Sequence, residues 1–68
     1  LTQAISDYSR AIEINPNYAE AYNNRGVVYY KAKEYDKAWA DVHKAEGLGS
    51  PLSSGFLTEL KMASGRDR

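Results

Sequence analysis

Cysteine is absent from this chain, and histidine and tryptophan occur once each among its 68 residues. Without cysteine there is no disulfide to staple a small core, no thiolate zinc site and no thiol nucleophile. With a single imidazole, a metal site would need several converging carboxylate oxygens, which suits only hard cations. Long apolar runs are also missing: the longest, Val27-Val28-Tyr29-Tyr30, is far too short to span a bilayer, so no membrane insertion is expected. Neither sign of charge prevails. Nine basic and nine acidic residues cancel, so no net field draws the chain to nucleic acid or an anionic membrane. A chain of this length makes one small domain, whose single core leaves roughly 3–5 kcal/mol of net stability. It opens on Leu1 rather than Met, which reads as a piece of a longer or processed protein. Compartment stays open, with the cytoplasm the first choice.

What the chain does have is self-similarity. A shift of 34 residues lays Leu1 on Tyr35, Ala4 on Ala38, Ile5 on Trp39, Asp7 on Asp41 and Tyr8 on Val42. Arg10 then meets Lys44, Ala11 meets Ala45, and Ile14 meets Leu48. Apolar falls on apolar, small on small, and charge sign is kept. A second step pairs Tyr22 with Phe56 but Gly26 with Leu60, so the repeat fades towards the C-terminus.

Periodicity and punctuation predict an all-α chain of helices joined by short turns. Leu1, Ala4, Ile5, Tyr8, Ala11 and Ile12 recur at helical spacing until Asn15-Pro16-Asn17 ends the run. Pro16 disfavours helical geometry at Asn15. Asn17, with Glu20 three residues on, has the spacing of a capping box for a second helix reaching about Ala32. A break near Lys33-Glu34 precedes a third helix, about Tyr35 to Glu46. Gly47-Leu48-Gly49-Ser50-Pro51 is the strongest breaker, and Ser50 and Pro51 suit the cap and first residue of a fourth helix, from Leu52 to about Ser64. Gly65 ends that helix, leaving a frayed tail.

Tyr22, Gly26 and Tyr29 share one stripe of the second helix, and Ala38 and Ala45 share one stripe of the third. Small residues let antiparallel helices approach closely while tyrosines fill the space beside the contact. Gly26 costs about 1 kcal/mol of helix propensity against Ala, so packing must require it. A second stripe, Ala21, Arg25, Val28 and Ala32, is largely apolar and faces the preceding helix. Neighbours on both sides of one helix are the arrangement of a solenoid.

With Tyr22, Arg25-Gly26 and Tyr29 followed by Ala38, Val42 and Ala45, the chain resembles a tetratricopeptide repeat, a helix-turn-helix unit of 34 residues. In the preceding partial unit, Ala4, Tyr8, Ala11 and Pro16 match the second-helix half and its closing proline. The resemblance divides the chain into the second helix of a partial repeat (1–14), a complete unit (17–48, helices about 18–32 and 35–46), a capping helix (51–64) and a tail (65–68). Three positions depart from the pattern. Arg25 stands where Leu is usual, so its stem must pack while its head reaches solvent or a partner. Val42 replaces an aromatic, and Lys33 replaces a turn Gly. A non-glycine residue at a left-handed turn is uncommon; a through-helix across Lys33, inviting domain swapping, is the alternative.

The resemblance also implies a function: arrays of such repeats hold peptides on the concave face of their first helices. That face here carries Glu20, Asn23, Asn24, Val27, Tyr30 and Lys31, which are the binding candidates; a plain solvated face is the competing account. Asn24 matches the middle residue of the Lys/Asn/Arg clamp with which some members bind chaperone C-termini, its amide donating to a carboxylate or carbonyl. The matching basic residues are missing, since the following segment offers Ser54 and Thr58. Trp39 is expected to bury against Phe56, Leu57 and Leu60, and His43 to be an exposed helix residue. Asp7 and Asp41 recur 34 residues apart without forming an acid/base pair. Lys31, Lys33 and Lys37 beside Tyr30 and Tyr35 are neutralised by Glu34 and Asp36, which argues against nucleic acid. The expected role is protein or peptide binding without catalysis or cofactor. The rival is a structural repeat that completes its core as a homo-oligomer or by stacking on N-terminal repeats, since about three stacked repeats are usually needed for stability.

Overall fold

The structure, a computed structural model, describes residues 2–67; Leu1 and Arg68, expected on the first apolar stripe and in the tail, lie outside them. Its regular elements are four helices, with no strand among the described residues: α1 (Thr2–Ile14), α2 (Ala19–Lys31), α3 (Tyr35–Gly47) and α4 (Ser54–Ser64). The chain is all-α, built of helical hairpins. α1 packs on α2, α2 packs most closely on α3, and α4 packs on α3.

The turn before α2 is built differently from the expected capping box. The Asn17 backbone N–H donates to Asn15 Oδ1 (3.2 Å), so Asn15 supplies the side-chain acceptor. Tyr18 occupies the N-cap, with no side-chain cap bond. Asn17 therefore sits one residue too early to cap, having been drawn into the turn around Pro16. Tyr22 Oη fastens this turn to α2 by donating to the Pro16 carbonyl at 2.9 Å.

Both α2 and α3 end in the same hydrogen-bonded motif. At α2, Lys33 N–H donates to the Tyr30 carbonyl (3.0 Å) and Glu34 N–H to Tyr29 (2.9 Å). At α3, Gly49 N–H donates to Glu46 (2.9 Å) and Ser50 N–H to Ala45 (3.0 Å). This pairing satisfies the carbonyls a helix leaves open at its end, and it needs a left-handed residue. Gly49 supplies that at φ 86°, and Lys33 supplies it at φ 63°. The junction at Lys33 is thus a closed turn rather than a through-helix. At the second motif, Ser50 spends its N–H on closing α3. The cap of the fourth helix lies at Ser53, three residues beyond the expected Ser50, and the helix begins at Ser54 rather than Leu52. Ser53, extended at ψ 125°, is its N-cap and accepts from the Phe56 N–H at 3.4 Å.

The core lies between α2, α3 and α4. Ala38, Trp39, Val42, Phe56 and Leu60 form its buried cluster, with Val27, Tyr29, Tyr30, Tyr35, Leu52 and Leu57 packed around it. Ala21, Tyr22 and Ala45 extend burial towards α1. Gly26 is where α2 and α3 come closest: a Cβ there would meet Asp41 Cβ at 3.3 Å and the Ala38 carbonyl at 3.5 Å. In α1, by contrast, no residue is buried; Ala4, Ile5, Tyr8, Ala11 and Ile12 are half-buried, and Ile14 is 80% exposed.

Candidate interaction surface

The six candidates on α2 fall into two groups. Glu20 and Lys31 are exposed, and Asn23 and Asn24 are half-buried. Among the described residues, no side-chain hydrogen bond or ion pair engages any of these four. Val27 and Tyr30 instead pack against the core cluster. The Tyr30 ring lies 6.2 Å from Tyr35 and meets Phe56 of α4 edge-on at 5.8 Å. The stripe is therefore polar with free amides towards its N-terminal half, and closed by α4 near its C-terminal half. On α4, Thr58 Oγ1 donates to the Ser54 carbonyl (2.9 Å), so its hydroxyl is bound within its own helix rather than completing a clamp with Asn24.

The residues read as packing positions differ in burial. Tyr22, Gly26, Ala38, Val42 and Ala45 are buried, while Tyr29, Ala4, Tyr8 and Ala11 are half-buried. Pro16 is exposed and contributes its carbonyl to Tyr22.

Behind the stripe is a polar junction that the sequence reading did not foresee. Arg25 keeps 19% of its side chain exposed, and its head finds its partner within the chain. Its Nε and Nη2 donate to the two carboxylate oxygens of Asp41 at 2.8 and 2.7 Å, and Nη1 donates to Ser9 Oγ at 3.1 Å. The guanidinium is flanked by the Tyr22 and Tyr29 rings, 5.7 and 5.6 Å from their centroids. One side chain thereby ties α1, α2 and α3 together through a fork geometry only arginine offers. The Asp41 hydrogen bond is the main reason the Arg25 pKa stands above its ordinary value, with burial opposing it. A signal was present: Asp41 shares the stripe of Ala38, Val42 and Ala45, and Arg25 shares that of Ala21 and Val28. Two opposite charges on largely apolar stripes of adjacent helices call for pairing, because an unpaired charge there is costly.

The remaining candidates are not brought together. Asp7 is exposed on α1 while Asp41 is buried in its ion pair. His43 is exposed, its ring 5.7 Å from that of Trp39. Lys37 pairs with Glu34 at 3.1 Å, which raises the lysine pKa. Among the described residues, no group of three or more His, Cys, Asp or Glu is placed to hold a metal ion, and no helix is long and apolar enough to cross a membrane. The expected frayed tail is partly pinned: Arg66 Nη1 donates to Asp36 Oδ1 at 2.9 Å.

A family profile described as "TPR repeat" matches residues 1–33. The chain belongs to the tetratricopeptide-repeat family. This family generally mediates protein–protein interaction and is generally non-catalytic. Three relatives illustrate the match. A UDP-N-acetylglucosamine–peptide N-acetylglucosaminyltransferase of Giardia intestinalis is 40% identical over 60 residues, 88% of this chain and 4% of that protein. A DnaJ homolog subfamily C member 7 homolog of Dictyostelium discoideum is 38% identical over 63 residues, 93% of this chain and 12% of the relative. Serine/threonine-protein phosphatase 5 of Homo sapiens is 36% identical over 67 residues, 96% of this chain and 13% of the phosphatase. The chain thus spans a small fraction of these relatives, two of them named for enzymes, and the match carries no catalytic activity with it. No solved structure matches the chain at comparable significance.

Proposed function

We propose that this tetratricopeptide chain binds a peptide segment of a partner protein along the α2 stripe of Glu20, Asn23, Asn24, Val27, Tyr30 and Lys31. The observation that carries the reading is the pair of half-buried asparagines, Asn23 and Asn24, whose solvent-accessible amides have no partner among the described residues. An amide offers two donors and an acceptor, the set needed to hold peptide backbone irrespective of its side chains. Glu20 and Lys31 at the two ends supply opposite charges that fix direction. In this reading residues 1–14 close a preceding repeat, 17–48 form the complete unit, and 51–64 cap it. Of a three-residue carboxylate clamp the chain supplies Asn24 alone, so a general peptide is the better ligand. The test is selection of displayed peptides on the folded chain, followed by amide chemical-shift mapping of an enriched peptide. Shifts concentrated on 20–31 support the groove; shifts confined to α1 or to the outer face of α3 contradict it.

A second reading, a structural repeat, is favoured by α1. Its apolar residues are covered on one side only, and none is buried. A further helix, from additional repeats or a second copy, would complete that layer.

A further inference from the structure

Three basic residues converge where the α2–α3 turn, the first turn of α3 and the end of α4 meet. Lys33, Lys37 and Arg66 line an open pocket there of about 380 Å³. Each is positioned by something besides charge. Lys33 is fixed at φ 63° within the pair of backbone hydrogen bonds that closes α2. Lys37 Nζ lies 5.7 Å from the centroid of the Tyr29 ring. The Arg66 guanidinium lies 5.7 Å from the Trp39 ring, and its backbone N–H donates to Ser64 Oγ at 3.3 Å. Ser64 Oγ is itself held, accepting from Trp39 Nε1 at 3.0 Å and donating to the Leu60 carbonyl at 2.6 Å. Tyr35, half-buried with its ring 6.2 Å from that of Tyr30, gives the pocket an aromatic wall.

Glu34 and Asp36 also line the pocket, but they do not neutralise all of its cations. Glu34 pairs with Lys37 at 3.1 Å, and Asp36 pairs with Arg66 at 2.9 Å. Lys33 is left without a partner for its ammonium among the described residues. The side chains of the two pairs are 43–96% exposed, and ion pairs in water hold little. Lys37 and Arg66 can therefore share an incoming carboxylate at small cost. The backbone adds an independent sign. The motif that ends α2 needs a left-handed residue, and its second copy after α3 uses Gly49. Glycine closes such a turn without strain, so the turn alone does not account for a lysine at position 33.

We infer that this pocket is a docking site for an acidic peptide segment, whose carboxylates pair with Lys33 and share Lys37 and Arg66. Charge complementarity selects the occupant. Nucleic acid fits less well, because one free cation beside two carboxylates does not neutralise a run of phosphates. The pocket shares no residue with the α2 stripe proposed above, so failure of either reading leaves the other standing.

The test is a titration of the full chain with the peptide hexaglutamate, followed by amide chemical shifts, with hexaglutamine as the uncharged control. Hexaglutamate should move the signals of residues 33–37 and 64–66, and its affinity should fall as salt is raised. Hexaglutamine should leave those signals in place. Lys33→Gly should weaken hexaglutamate binding about threefold to fivefold, as for loss of one charge contact, while raising the melting temperature by relieving the turn. A lysine that served the turn alone would not move binding and stability in opposite directions. Lys33→Gln, which keeps a side-chain stem, should weaken binding to the same extent, and Lys33→Arg should retain it. Equal shifts with both peptides, shifts confined to other residues, or unchanged affinity in Lys33→Gly and Lys33→Gln overturns the inference. Inorganic phosphate that moves the same signals at concentrations no higher than hexaglutamate shows a simple anion site and likewise counts against a peptide.

Discussion

Arg25 carries more of the structure than any other single side chain, because it is the point at which three helices meet. Arg25→Met removes the fork and leaves Asp41 charged and buried. Such a loss costs about 3 kcal/mol, close to all the stability a domain of this size has. Adding Asp41→Ala should recover part of it, with a coupling of about 1–3 kcal/mol in a urea-melt double-mutant cycle; strictly additive losses would mean the pair is not coupled. The pH dependence has a definite sign. A base whose pKa is raised on folding stabilises the fold wherever it is protonated in both states, and loses that contribution only as pH climbs through the raised value. For Arg25 that lies beyond any working pH, so the arginine end of the pair is constant from neutral to mildly alkaline conditions. Lys33 is the opposite case, a residue under backbone strain. A left-handed residue with a Cβ costs about 1–2 kcal/mol, offset in part by the greater freedom glycine gives the unfolded chain. Lys33→Gly should therefore stabilise by about 0.5–1 kcal/mol, measured as a raised melting temperature; a lowered one would show that the lysine side chain compensates. Gly49, in the same position of the same motif after α3, is the internal control.

At the scale of elements, the helices were legible because apolar residues recur at helical spacing and Pro16, Gly49 and Gly65 punctuate them. The start of α4 was misplaced for a physical reason. Ser50 and Pro51 suit a cap and a first helical residue, but Ser50 instead closes the motif that ends α3, and Ser53 takes the cap of α4. Asn17 failed as a cap similarly, because Asn15 competed for the turn. The unforeseen polar contacts, Arg25 with Asp41 and Trp39 with Ser64, join residues 16 and 25 positions apart. Their helix faces are predictable, but their pairing depends on the angle at which helices cross. α4 should be the first element to open. Its amides should exchange with solvent faster than those of α2 and α3, and Ser53→Ala should widen the gap by about 1 kcal/mol through loss of the N-cap. Uniform protection across all four helices would show instead that the chain opens as one unit.

For the molecule as a whole, the two ends are unlike. α4 covers the core cluster and turns Met62 to solvent, whereas α1 leaves its apolar residues half-covered. In a solenoid each repeat gains stability from its neighbour, so the α1 end is where an added repeat has most to contribute. A chain extended N-terminally by one further repeat should melt several degrees higher; an unchanged melting temperature would show that α1 is already a finished end. The α2 stripe proposed to bind a peptide is positioned by this same arrangement: Arg25, Gly26 and Tyr29 pack between helices, which leaves the half-buried Asn23 and Asn24 with amides that no side chain engages. The repeat pattern made that stripe visible, but nothing in one helix specifies what lies along it, since the partner is written in another chain. The decisive measurement is the calorimetric titration of a peptide selected on the folded chain into that chain and into Asn24→Ala. Binding should weaken about tenfold in the variant at unchanged melting temperature, as expected for loss of one hydrogen-bonding amide to peptide backbone. Equal affinity for both chains would contradict the α2 groove as the site of recognition.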